Sequence, residues 1–148
     1  MESIRNFEGL PHRLQYIGER DGVQYYDDSI STIPEATISA ADSISNVQTI
    51  LIGGMDRGIN YDILIEFIKD HRELQFICAY ESGERIYRAV EGCDNCFYRK
   101  DLEQAVQLAR RITVSGRACV LSPAAASYGY FKNFEERGDA FRKFVLDI

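Results

Sequence analysis

Apolar residues along this chain fall into short runs separated by amphipathic stretches, and the alternation continues from one end to the other. Leu14–Gly18 and Val23–Asp27 read as two strands. The Asp21-Gly22 pair between them suits a tight turn, so an antiparallel hairpin is predicted. Four further strands are predicted at Thr49–Ile52, Leu74–Tyr80, Asn95–Tyr98 and Ala118–Leu121. Helical spacing fills the gaps. Thr37, Ala40, Ala41 and Ile44 share one face, as do Ile63, Leu64, Phe67 and Ile68 within a helix over Tyr61–Lys69. A helix over Ser82–Val90 precedes one carried by Leu102, Ala105, Val106, Ala109 and Ile112, and Phe134, Phe141 and Val145 mark the last. A hairpin followed by repeated β–α units predicts an α/β, Rossmann-like domain over residues 1–148, its sheet largely parallel with helices on both faces. Met1–Gly9 reads as irregular, as if cut from something longer.

Composition narrows the classes. The formal net charge of −6 argues against a general nucleic-acid binder, though it permits a local cationic site for a phosphate or carboxylate. No apolar run approaches the ~20 residues of a membrane span and no signal-peptide core is present, so a cytoplasmic protein is expected. Cys78 and Cys119 lie in apolar runs and read as small core residues. Cys93 and Cys96 have C-x-x-C spacing but no second cysteine or histidine pair, and read as loop cysteines without a metal.

Three stretches carry candidate chemistry. Leu121–Gly138, reading LSPAAASYGYFKNFEERG, delivers a strand end into small residues and then polar tips, where open α/β sheets hold ligands; a plain strand–turn–helix connection is the other reading. Asp28–Glu35, reading DSISTIPE, places Thr32 and Glu35 at capping-box spacing, with Pro34 in the first helical turn. Capping explains that pattern, and so does a ligand met by Asp28, Ser29 and Thr32 at the helix start. Gly53–Gly58, reading GGMDRG, is neither a Walker loop nor a dinucleotide fingerprint. Arg57 within it offers a fork for a carboxylate.

Four blocks in order resemble the C-terminal domain of the Mur ligases, ATP-dependent enzymes of peptidoglycan precursor synthesis. They are Gly9-Leu10-Pro11-His12-Arg13, Asp28-Ser29, Gly53–Gly58 and Leu121–Gly138, the last most similar to the glutamate-adding member. The resemblance implies that Arg13 and Asp28 reach the nucleotide. It implies that Thr32, Arg57, Ser127, Tyr128 and Phe134 surround the incoming glutamate, with His12 and Arg137 matching further motif positions. It places ATP and Mg2+ mainly on a central domain absent from this chain, and no catalytic residue or metal in this one. Two positions depart from the family pattern: Ile30 stands where the motif has lysine, and Ile33 where it has asparagine. The run Asp27-Asp28-Ser29-Ile30-Ser31-Thr32, together with Arg57, resembles a variant subgroup that adds L-glutamate, with a separate epimerase acting afterwards.

The implied chemistry is amide formation through an acyl phosphate of UDP-N-acetylmuramoyl-L-alanine, attacked by the glutamate amine. This domain's share would be to hold the glutamate. A stand-alone Rossmann-like binding module without catalysis is the competing reading.

Overall fold

The computed structural model describes residues 11–147; the opening Met1–Leu10, including Gly9 and Leu10 of the first block, lies outside the described residues. Eleven elements follow in the order β1 (Gln15–Arg20), β2 (Val23–Asp27), α1 (Pro34–Ser43), β3 (Val47–Ile52), α2 (Asp62–Asp70), β4 (Gln75–Ala79), α3 (Tyr80–Ala89), β5 (Cys96–Arg99), α4 (Leu102–Ile112), β6 (Ala118–Leu121) and α5 (Phe134–Leu146). One six-stranded sheet has the order β1-β2-β6-β3-β4-β5. The hairpin is part of this sheet rather than a preface to it. β1 and β2 pair antiparallel, and every other pairing, beginning with β2 on β6, is parallel.

Alternation along the strands builds two cores. Ile50, Ile52, Phe76, Cys78 and Val120 face one side, against Ala41 and Ile44 near α1, Leu64 and Ile68 of α2, and Ile86 of α3. Leu51, Ile77, Cys119 and Leu121 face the other, against Leu102, Ala105, Val106 and Ala109 of α4 and Phe141 and Val145 of α5. Strands covered on both faces need to be apolar at every position, which is why β6 reads Ala-Cys-Val-Leu without a polar residue.

The topology places a crevice. The chain leaves β2 and β3 toward α1 and α2 on one face, whereas it leaves β6, lying between them, toward α5 on the other. Outgoing connections diverge on both sides of β6, and ligands of open α/β sheets bind where this divergence occurs.

Several local expectations are corrected. Thr32 is not the cap of α1: the N-cap is Ile33, no side chain caps the helix, and Pro34 holds its first turn. Ile63 is exposed rather than packed, leaving Leu64 and Ile68 as the buried face of α2. Cys96 is no loop cysteine. It opens β5, is buried, and sets its Sγ 3.4 Å from that of Cys78 on the neighbouring strand.

Candidate functional site

The loop after β6 fills the crevice with its own backbone. Six consecutive carbonyls, Ser122 to Ser127, each accept a hydrogen bond from another segment or from the next turn. Ser122 O accepts from Thr37 Oγ1 at 2.9 Å, Pro123 O from Gly53 N at 2.8 Å, and Ala124 O from the Tyr61 hydroxyl at 2.7 Å. Ala125 O accepts from Arg137 at 2.9 Å, Ala126 O from Met55 N at 2.9 Å, and Ser127 O from Phe131 N at 2.9 Å. Ala124, Ala125 and Ala126 are buried. The small residues therefore admit neighbouring protein groups at close range. Gly54 shows the same closeness: a Cβ there would stand 2.5 Å from Ala126 O and 3.1 Å from an Arg137 nitrogen.

Beneath the loop lies a buried polar frame. Arg137 is 1% exposed, and its guanidinium donates to Ser29 Oγ at 2.9 Å, Ser29 O at 2.7 Å and Ala125 O. Burial lowers its pKa to about 10, opposed by the charge of Asp27. Ser29 Oγ in turn donates to Phe134 O at 2.7 Å, tying the start of α5 to the end of β2. Arg137 thus ties three segments together and does not face an opening. Asp27 accepts from Ser29 N at 2.9 Å and sets its other oxygen 2.6 Å from His12 Nδ1. The His12 ring meets Phe134 edge-on at 6.0 Å. Asp28 accepts from Leu14 N at 3.0 Å, Ser122 Oγ at 2.8 Å and Ser31 Oγ. Burial pushes both carboxyls above the usual carboxylate range, partly offset by these hydrogen bonds.

An opening borders this frame. A cavity of about 390 Å³ is lined by Arg13, Asp28, Ile30, Thr32, Ile33 and Ala36 among others. Thr32 therefore sits with Arg13 and Asp28, the pair assigned by resemblance to a nucleotide. Ile30 and Ile33, 40% and 49% exposed, give this cavity apolar walls where the family pattern has polar residues.

The antiparallel Met55–Ala126 bridge joins the loop that carries Arg57 to the loop that carries Ser127. Ser127 is buried, and Arg57 and Tyr128 are exposed. Phe134, half-buried at the start of α5, is tied through its carbonyl to Ser29 of the polar frame.

The arginine-bearing loop has an anchor that the motifs did not signal. Arg85 of α3 donates to both carboxylate oxygens of Asp56, at 2.9 and 2.8 Å, and to Ile59 O at 2.9 Å. Its guanidinium also lies over the Tyr61 ring, 4.8 Å from the centroid. Only the folded chain brings residues 56 and 85 together, so spacing alone gave no sign of the pair.

Among the described residues no group of three or more His, Cys, Asp or Glu side chains is placed to hold a metal ion, and no helix is long and apolar enough to cross a membrane.

No protein-family model matches the chain. Over 98% of its length it is 40% identical to a protein of Salinispora tropica named UDP-N-acetylmuramoyl-L-alanine–L-glutamate ligase. Over 99% it is 36% identical to a UDP-N-acetylmuramoylalanine–D-glutamate ligase of Pelotomaculum thermopropionicum. The chain spans about a third of these curated relatives, 33% and 32% respectively. A solved MurF ligase of Thermotoga maritima, in complex with ADP, superposes on 93% of this chain with a TM-score of 0.63, using 32% of its own length. At 16% identity that likeness shows the fold alone. The chain is thus homologous, along nearly its whole length, to about a third of each of the two ligases.

Proposed function

We propose that this chain is the C-terminal, amino-acid-binding domain of a Mur ligase that joins glutamate to UDP-N-acetylmuramoyl-L-alanine in peptidoglycan precursor synthesis, a cytoplasmic reaction. The observation that carries this reading is the end-to-end identity with two ligases whose names both specify glutamate. The geometry fits. Arg57 and Tyr128 are exposed on two loops joined by the Met55–Ala126 bridge, and an arginine fork pairs a carboxylate bidentately. A dianionic amino acid held there by Arg57, with Ser127, Tyr128 and Phe134 around it, would be fixed with its amine pointing out of this domain. Its orientation is this chain's contribution to catalysis.

The cavity lined by Arg13, Asp28 and Thr32 fits one edge of a nucleotide: a cation for phosphate and a carboxylate beside it for a ribose hydroxyl. ATP supplies the phosphoryl group that activates the muramoyl-alanine carboxyl. Magnesium and most nucleotide contacts are assigned to other parts of the parent enzyme. Thr32 lines the same cavity as this nucleotide group, so its contribution to glutamate would be indirect.

The test is a comparison of phosphate release. The parent enzyme, given ATP, magnesium, UDP-N-acetylmuramoyl-L-alanine and glutamate, is expected to release phosphate, whereas these 148 residues alone release none. Release by the isolated chain would overturn the assignment of activation to the rest of the parent.

A further inference from the structure

The loop from Gly53 to Tyr61 is held in two different ways. Its first half is fixed by backbone: Gly53 N donates to Pro123 O, Met55 N to Ala126 O, and Gly54 exchanges bonds with Ser82. Beyond Met55 the backbone ladder ends, and the apex carrying Arg57 is gripped by one side chain. Arg85 spans it, with both Asp56 oxygens on one side of Arg57 and Ile59 O on the other. Gly58 N closes the turn onto Asp56 Oδ1 at 3.0 Å. The guanidinium is fixed from its other side by the Tyr61 ring, whose hydroxyl is anchored on Ala124 O.

We propose that Arg85 is a positioning residue for the amino-acid substrate: it touches no substrate atom but sets the apex of the loop so that Arg57 presents its fork to a substrate carboxylate. This rests on the reading of Arg57 as that carboxylate's partner. The chemistry requires arginine at 85, because the two Asp56 contacts and the Ile59 carbonyl are met by one planar fork, which an ammonium cannot reproduce. The Arg85 and Asp56 side chains are 41% and 28% exposed. Exposed ion pairs add little to global stability, so removing this one leaves a folded domain with a loosened apex.

The experiment uses the parent ligase carrying Arg85→Met, Arg57→Met, or both, with initial rates of phosphate release measured against glutamate and against ATP. Each single variant is expected to raise the KM for glutamate about tenfold, the scale of a lost orienting contact, with the KM for ATP unchanged. The double variant is expected to be no worse than Arg57→Met, since Arg85 acts through Arg57. Arg85→Lys is expected to recover only a small part of the loss. Amide exchange over residues 57–60 is expected to quicken in Arg85→Met without substrate, a change independent of turnover. An unchanged glutamate KM in Arg85→Met, independent losses in the double variant, or unchanged exchange at the apex would each overturn the proposal. A wild-type parent indifferent to glutamate would instead overturn the functional reading, and this one with it.

Discussion

Replacing Arg137 with methionine keeps most of the side-chain volume and removes every donor. Ser29 O and Ala125 O, both on buried residues, then lose their guanidinium partner, while Ser29 Oγ keeps its bond to Phe134 O. Each orphaned buried acceptor costs about 1–3 kcal/mol. Against that, methionine removes the desolvated charge, whose unfavourable burial shows in the lowered pKa of Arg137. The net expectation is a loss of about 2–4 kcal/mol. For a domain of this size that corresponds to a fall in Tm of about 5–15 °C. Urea unfolding followed by circular dichroism measures it directly. Arg137→Lys is expected to fall nearly as far, because one ammonium cannot span three acceptors. A methionine variant within about 0.5 kcal/mol of wild type would refute the reasoning, since that is the range of a surface substitution.

Two further outcomes follow from the same frame. Gly138→Ala should destabilise the domain despite alanine's advantage of about 1 kcal/mol within a helix. The new Cβ would collide with His12 Nδ1 and Asp27 Oδ2, forcing apart a buried contact at an overpacking cost of about 1–3 kcal/mol; equilibrium unfolding decides the sign. The raised pKa of Asp28 means the folded state binds more protons than the unfolded state just above the ordinary carboxylate pKa. Its contribution to stability is thus most favourable in acid and declines as pH rises through that window. Relative to Asp28→Asn, wild type should lose stability from about pH 4 upward, and a difference that stays flat or grows with pH would contradict the assignment.

The fold was legible where local pattern and tertiary demand agree. Ala118–Leu121 is apolar at every position because both faces of β6 are covered, and the predicted strand has the observed bounds. The α4 spacing likewise reports one packed face. Thr32 misled because a cap is defined by where helical backbone begins, and here it begins at Pro34. The site was legible as a set of segments and not as a geometry. The loops that carry Arg57 and Ser127 are joined by the Met55–Ala126 bridge, and the close approach that the alanines allow is taken up by the protein's own donors. Burial of Arg137 and the grip of Arg85 depend on acceptors distant in the chain, and no local periodicity encodes such partners.

The most direct test of the central claim gives the parent enzyme ATP, magnesium and UDP-N-acetylmuramoyl-L-alanine, and measures phosphate release with D-glutamate and with L-glutamate in turn. Release that depends on one enantiomer is the expected result. Preference for D would mean that Arg57 serves without the motif lysine replaced by Ile30, and preference for L would place the chain with the L-adding variant. No release with either enantiomer would contradict the glutamate assignment and leave a binding module in its place.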